Sequence, residues 1–131
     1  MAVDPARLTA VPLFADLSDE QRAVVAEKFE ERHVEEGEHL SREGGAGYFF
    51  FVIESGSAAV TREGETLAVF GPGDFFGEAA IFKTRRRTAT VTTTSPAVIF
   101  AMFGADFAKL VAEIPSLHTS IDEALAERVP E

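Results

Sequence analysis

The segment YFFFVIESGSAAVTREGETLAVF, residues 48–70, is the clearest indication of how this chain folds. It consists of short runs rich in aromatic and β-branched residues, interrupted at Ser55-Gly56 and at Gly64. Close turns between such runs favour antiparallel neighbours, because a tight hairpin joins antiparallel strands and cannot join parallel ones. The strands predicted in this segment are residues 48–54, 57–61 and 65–70.

The same β pattern extends over residues 32–103. Two more strand-like runs occupy residues 88–94 and 97–102, and further turn signals stand at Gly37, Gly44-Gly45, Gly71-Pro72-Gly73 and Ser95-Pro96. We therefore expect about eight antiparallel strands. A double-stranded β-helix, or jelly roll, arranges this number of strands in two sheets with protected edges and a pocket between them. Many unrelated functions use this architecture, so the fold alone does not identify the function.

Residues 4–31, which precede the β region, have a helical pattern. Ser18 and Gln21 have the Ser-x-x-Gln spacing of a capping box, in which each side chain bonds the other residue's backbone N–H. The spacing predicts a helix from residue 19 to about residue 31.

Residues 104–131, which follow the β region, are predicted to form two helices. The first should end at Pro115, and Ser116 is the expected cap of the second. The apolar face of the first helix is predicted to comprise Phe107, Leu110, Val111 and Ile114. The apolar stripe of the second is predicted to comprise Leu117, Ile121 and Leu125. We thus expect a single domain over residues 1–131, mainly β with flanking helices.

Composition limits the classes of function. The chain has 131 residues, 46% of them hydrophobic, which suits one domain with a core and does not suit a multidomain enzyme. It has no apolar run of about 20 residues, and its first residues lack the basic-then-apolar order of a secretory signal, so we expect a cytoplasmic protein without a membrane segment. The absence of cysteine excludes a thiolate zinc site and a cysteine nucleophile. The net charge of −10 repels nucleic acid, and we expect no direct nucleic-acid binding by this segment.

The stretch GPGDFFGEAAIFKTRRRTATV, residues 71–91, interrupts the β pattern. Its residues 77–82 are predicted to form one or two helical turns, and a helix start presents unpaired N–H groups to an anion. Four cations follow within five residues of an otherwise acidic chain, namely Lys83, Arg85, Arg86 and Arg87. Because a guanidinium can bind a phosphate through two parallel hydrogen bonds, this stretch is a candidate phosphate site.

Glu78 gives the candidate site a second chemical property. A carboxylate repels a phosphate, but it accepts hydrogen bonds from a sugar hydroxyl, so an arginine and a glutamate together suit a nucleotide. The sequence lacks the Gly-x-x-x-x-Gly-Lys-Ser/Thr loop of triphosphate sites, which leaves a compact phosphate. Two simpler interpretations stay open: Glu78 could be a carboxylate favoured by the helix dipole, and Arg85 and Arg86 could be solvated side chains that only attract the anion.

Two motifs in this stretch resemble the phosphate-binding cassette of cyclic nucleotide-binding domains, the family of the catabolite activator protein, the regulatory subunits of cAMP-dependent kinase and cyclic nucleotide-gated channels. They are FGEAAI at residues 76–81 and RTATV at residues 87–91. The segment GYFFFVIESG, residues 47–56, is similar to the strand and turn that precede the cassette in that family. The resemblance covers nearly the whole chain and implies a cyclic nucleotide ligand in a cassette over residues 75–91.

The resemblance also implies roles for individual residues. Arg87 would pair with the cyclic phosphate, with close contacts from Thr88 and Ala80. Glu78 would accept a hydrogen bond from the ribose 2′-hydroxyl beside the backbone of Gly77. The expected anchors of the cassette are Phe76, Ala79 and Ala89. The chain departs from the family at Ala79, where a larger aliphatic residue is common, and at Arg85 and Arg86, where Gly or Pro is common.

The predicted C-terminal helices complete the expected mechanism. In the family these helices move when the ligand binds, and the last one covers the base, so the resemblance implies Leu125 or Arg128 as a possible base cap. Thr88 occurs in binders of either nucleotide, and we expect cyclic AMP (cAMP) rather than cyclic GMP (cGMP).

We therefore expect a regulatory sensor for signal transduction that is not an enzyme and carries neither metal nor cofactor. His33, His39 and His118 form no His-x-His pair for a metal, and no Ser/His/Asp arrangement has a supporting context. A homodimer partner, or an output domain or partner protein, would carry the response. The alternative is a jelly roll that has lost its ligand and acts as an interaction or dimerisation module.

Overall fold

The computed structural model describes residues 3–41, 49–77, 81 and 89–127, with side chains to residue 123 in the last range. In these ranges eight strands form two four-stranded antiparallel sheets. The strands are β1 Glu30–Val34, β2 His39–Ser41, β3 Phe49–Ser55, β4 Ala58–Arg62, β5 Glu65–Phe70, β6 Phe75–Phe76, β7 Thr90–Thr93 and β8 Ala97–Phe103. Sheet A has the order β1-β8-β3-β6, and sheet B has the order β2-β7-β4-β5. The predicted mainly β architecture is confirmed.

Helices precede and follow the strands. They are a short 3-10 helix at Pro5–Leu8 and the α-helices α1 Pro12–Ala15, α2 Asp19–Lys28, α3 Gly104–Glu113 and α4 Pro115–Glu127. The capping box of α2 is confirmed, since Gln21 N–H donates to Ser18 Oγ at 3.1 Å and Ser18 N–H donates to Gln21 Oε1 at 3.0 Å.

The end of α2 differs from the prediction. The helix stops at Lys28 instead of continuing to about residue 31, and Phe29 is already extended, with φ −83° and ψ 145°. Phe29 is only 2% exposed, and its ring lies against those of Phe14 and Phe100. The next residues pair with β8 as strand β1, so tertiary packing and a long-range strand pairing override the local helical pattern.

The predicted role of Ser116 is also wrong. Pro115 is the first residue of α4, so Ser116 lies within the helix, and its carbonyl accepts from Ser120 Oγ at 3.0 Å. Proline suits the first helical position because its missing N–H has no partner there. The predicted apolar faces are confirmed as far as Ile121: the members of the α3 face are buried, as are Leu117 and Ile121, whereas the side chain of Leu125 lies outside the described residues.

Sheet A separates two hydrophobic cores. The helix-side core contains Phe50, Val52, Phe100 and Met102 from the sheet and, among others, Phe14, Val25, Phe29, Phe107 and Leu117 from the helical segments and their ends. The barrel core, between the sheets, contains Phe51, Ile53, Ala58, Val60, Phe76, Ala89, Val91, Ala97, Ile99 and Ala101. Successive residues of one strand, such as Phe50 and Phe51, therefore enter different cores, as the two-residue period of a strand requires.

Tight turns close one end of the barrel. The β3–β4 turn lies against the β7–β8 turn, where Thr94 N–H donates to the Ser57 carbonyl at 2.9 Å and Ser57 N–H donates to Ser95 Oγ at 3.1 Å. Gly56 has φ +89°, and a Cβ added there would lie 2.5 Å from the Pro96 carbonyl oxygen and 2.6 Å from Ala97 Cβ. Only glycine fits this conformation and this close approach.

Candidate functional site

Phe76 and Ala89, near the two ends of the predicted cassette, are buried in the barrel core. Strand β6 enters the cassette and pairs with β3, so that Phe76 lies opposite Phe51. At the other end Ala89 immediately precedes β7, and both Phe76 and Ala89 are fully buried. The segment between them therefore starts and finishes on the same apolar cluster. Their role as anchors of the cassette stays a prediction.

Aromatic stacking holds the entry to the cassette. The Phe76 ring stacks on Phe51 at 4.9 Å between centroids and on Phe70 at 5.7 Å. Phe51 belongs to sheet A and Phe70 to sheet B, so Phe76 packs between rings from both sheets. Offset or tilted ring pairs at such distances contribute beyond the burial of their area, by about 0.5–1.5 kcal/mol each.

Gly77 is the first residue of the cassette after β6. Its φ of +101° lies in the region that favours glycine, so a side chain at this position would strain the backbone. The Gly77 carbonyl accepts from Ile81 N–H at 3.3 Å, which is the spacing of an α-helical hydrogen bond. Gly77 thus combines a positive φ with a hydrogen bond accepted from Ile81, directly after strand β6.

The barrel core combines small residues with partly exposed ones. Four of its buried members are alanines, namely Ala58, Ala89, Ala97 and Ala101. Several partly buried apolar residues pack against it, namely Val34, Leu40, Phe49, Leu67, Ala68 and Phe70. Sequence analysis did not name these residues as part of a site, although their alternation along the strands was a signal for an inward face. Accessible apolar side chains beside small buried ones match the mostly apolar lining of small-molecule sites.

Most of the residues singled out in the cassette, and one possible base cap, lie outside the described residues. This applies to the expected ligand contacts Glu78, Ala80, Arg87 and Thr88, the expected anchor Ala79, the arginines Arg85 and Arg86, and the possible cap Arg128. Leu125 lies in α4, but its side chain is not described. The predicted roles of these residues stay predictions, and so does the predicted helical turn at residues 77–82 apart from the bond between Ile81 and Gly77.

An ion-pair cluster on the helix side of sheet A was missed by sequence analysis. Arg7, from the 3-10 helix, pairs with Glu31 of β1 and Glu54 of β3, and its guanidinium carbon lies 5.0 Å from the centre of the Phe100 ring. The hydrogen bonds to Glu54 and then to Glu31 raise the pKa of Arg7. The bonds from Arg7 and then from His33, whose Nε2 is 2.6 Å from Glu31, lower the pKa of the Glu31 carboxyl. This cluster fastens the N-terminal segment to the sheet.

No group of three or more His, Asp or Glu side chains in the described ranges is close enough to hold a metal ion. None of the helices described has both the length and the apolar character needed to cross a bilayer.

Comparison with known proteins identifies the family. The family described as "Cyclic nucleotide-binding domain" matches residues 31–113 of this chain, which is more than half of its length. This chain belongs to the cyclic nucleotide-binding domain family. The match includes both cassette motifs, and the resemblance noted in the sequence is thereby confirmed.

Two curated relatives are a protein kinase and a regulatory subunit of a protein kinase, and they are named for different cyclic nucleotides. The cGMP-dependent protein kinase egl-4 of Caenorhabditis elegans is 35% identical over 84% of this chain and 15% of its own length. The cAMP-dependent protein kinase regulatory subunit of Yarrowia lipolytica is 29% identical over 90% of this chain and 32% of its own length. The domain thus corresponds to a third or less of each relative, and the two relatives differ in the nucleotide that they are named for.

A solved structure supports the same assignment of the fold. The catabolite activator protein of Thermus thermophilus is similar with a TM-score of 0.80 and 27% identity, over 89% of this chain and 57% of that one. This cyclic nucleotide-binding domain therefore has the family's jelly roll, as the sequence predicted. It is a regulatory domain by family, and the relatives do not distinguish cAMP from cGMP.

Proposed function

We propose that this domain is a regulatory sensor that binds 3′,5′-cyclic AMP, with cGMP as a weaker ligand, and performs no catalysis. The observation that carries the proposal is the family match over residues 31–113, which includes both FGEAAI and RTATV. The burial of Phe76 in the first motif and of Ala89 in the second supports it further. A fixed start and finish would hold the intervening residues against the apolar interior of the barrel.

The proposed binding mode assigns one chemical task to each group. Arg87 pairs with the cyclic phosphate, because a guanidinium offers two parallel donors to an anion. Thr88 and Ala80 contact the same phosphate. Glu78 accepts a hydrogen bond from the ribose 2′-hydroxyl, beside the backbone of Gly77.

The proposed response involves the two C-terminal helices. Binding shifts the cassette, and α3 and α4 then change position, so that Leu125 or Arg128 covers the base. A ligand can shift such an equilibrium only by its difference in affinity for the two states. We propose that an output domain, a partner protein or a second copy of the chain reads this change, in a cytoplasmic setting.

Calorimetric titration of nucleotide-free protein with cAMP and cGMP tests the proposal. The matched pair of variants is Arg87→Ala and Arg86→Ala, which remove the same charge from adjacent positions. Wild type should bind cAMP with micromolar or lower Kd and more tightly than cGMP. Arg87→Ala should lose about 100-fold or more, because charge-assisted hydrogen bonds contribute about 1.5–3 kcal/mol each. Arg86→Ala should change Kd by only a few-fold, since long-range attraction is screened by salt.

Other outcomes would contradict the proposal at different levels. Equal losses in the two variants would remove the assigned role of Arg87. Tighter binding of cGMP would reverse the nucleotide preference. Failure of folded, nucleotide-free wild type to bind either nucleotide would leave an interaction or dimerisation module.

A further inference from the structure

Phe50 lies between the strand that enters the cassette and the helix that follows the barrel. Its ring centroid is 5.7 Å from that of Phe75 in β6 and 3.8 Å from that of Phe107 in α3. Phe50 and Phe107 are fully buried. One side chain of sheet A therefore lies against both β6 and α3. These are the two elements whose relative position would change if the domain responds to a ligand as proposed.

The Phe50–Phe107 pair has an unusual geometry. The two rings are parallel within 4° at a centroid distance of 3.8 Å, whereas other phenylalanine pairs of the described residues lie between 4.9 and 6.3 Å. The two rings therefore form a close, nearly parallel stack, so a shift of either ring changes their mutual contact directly.

The packing around Phe50 would transmit such a shift. Phe75 is partly buried and packs against the helix-side core, on the opposite side of sheet A from its neighbour Phe76 in the barrel core. A displacement of β6 therefore moves Phe75 against Phe50. Because close-packed interiors respond by switching between arrangements and do not deform gradually, Phe107 must then change its position relative to Phe50.

The junction between α3 and α4 carries the change onward. Pro115 has no backbone N–H to donate. Leu117 N–H and His118 N–H nevertheless both donate to the Ile114 carbonyl, at 3.1 and 3.0 Å. Ile114 and Leu117 are also buried in the helix-side core. A shift of α3 consequently moves the start of α4.

We propose that Phe50 is a positioning residue that couples nucleotide binding at the cassette to the position of α3. The inference rests on the proposed function, since it requires a ligand at the cassette. It assigns the coupling to Phe75, Phe50 and Phe107 on the helix side of sheet A. Phe50 itself contacts no ligand in this scheme.

Distance measurements between spin labels test the coupling. The chain contains no cysteine, so Lys109→Cys on the exposed side of α3 and Val69→Cys on β5 give a uniquely labelled pair. The test variant is Phe50→Leu. The matched control is Phe100→Leu, a fully buried phenylalanine in the same sheet and the same core, whose ring pairs with Phe29. Calorimetry on each labelled protein establishes whether cAMP is bound.

We expect saturating cAMP to shift the label distance in wild type and in Phe100→Leu, and to leave it unchanged in Phe50→Leu that still binds cAMP. A wild-type shift in Phe50→Leu would overturn the coupling role. Binding of cAMP by wild type without any shift would also overturn it, while leaving the proposed function intact. Absence of binding by wild type would overturn both. If Phe50→Leu does not fold, Phe107→Leu removes the same ring pair from the helix and is read in the same way.

Discussion

The two faces of sheet A are packed differently, although they are formed by alternate residues of the same strands. On the helix side, large rings such as Phe14, Phe29 and Phe100 are buried to 2% exposure or less. On the barrel side, four alanines share the core with residues that stay partly exposed, among them Leu40 and Leu67. The helix-side core thus contains more large buried rings, whereas the barrel core contains more small residues and more partly exposed apolar neighbours. Under the proposed function, we expect the helix side to contribute more to stability and the barrel side to contact the ligand.

The largest expected effect compares truncations on the two faces. Phe100→Ala should lower the free energy of unfolding by about 3–5 kcal/mol, because it leaves a cavity in the helix-side core. Leu40→Ala should cost less than about 2 kcal/mol, since its side chain is only partly buried, yet it should weaken cAMP binding more than Phe100→Ala does. Urea denaturation and calorimetry measure both quantities. Equal costs, or the opposite order for binding, would contradict the division between the faces.

A smaller effect is expected at the closed end of the barrel. Gly56→Ala should destabilise the domain by about 2–3 kcal/mol, because it combines a positive φ with a collision against Pro96 and Ala97. Gly64→Ala is the matched control: it has a φ of +82° with nothing within 4 Å of an added Cβ, and should cost about 1 kcal/mol. The denaturation midpoints of the two variants separate the collision from the backbone strain. Identical midpoints would show that the turns do not meet closely there.

The smallest effect is expected in the pH dependence of stability. Because Arg7 and His33 lower the pKa of Glu31 in the folded protein, the Glu31 contribution is present above its ordinary pKa of about 4.3 and is lost as pH falls below that value. Arg7→Met should therefore flatten the loss of stability between neutral and acidic pH. Lys109→Met, which removes the same charge from the exposed side of α3, should leave the slope unchanged. The measurement is the urea denaturation midpoint of each protein from pH 7 to pH 3. The prediction is contradicted if the midpoints of both variants fall with pH as those of wild type do.

Local patterns in the sequence were sufficient for several elements. The capping box at Ser18 and Gln21 forms as predicted because both of its hydrogen bonds connect residues three apart. Strand β5 occupies the predicted residues, since Gly64 and Gly71 mark turns on either side of it. The start of α4 was predictable in principle, because proline favours the first position of a helix as much as it disfavours the interior.

Other features depended on residues far apart in the chain. Arg7 meets Glu31 and Glu54 across separations of 24 and 47 residues, and no local spacing marks these three residues as partners. The stack of Phe50 on Phe107 likewise joins a strand to a helix that is remote in sequence. Both depend on the order of strands in sheet A, which brings β1, β8 and β3 side by side.

The sequence by itself determined the family and the jelly roll, because turn residues, hydrophobic periodicity and the two motifs are local properties of the chain. Only the tertiary structure decided that Phe75 and Phe76 enter opposite cores, that Phe76 and Ala89 are buried in the same cluster, and that α2 ends before Phe29. The physical reason is that burial and ring packing depend on which strands become neighbours. That choice is made by the whole chain as it excludes apolar surface from water.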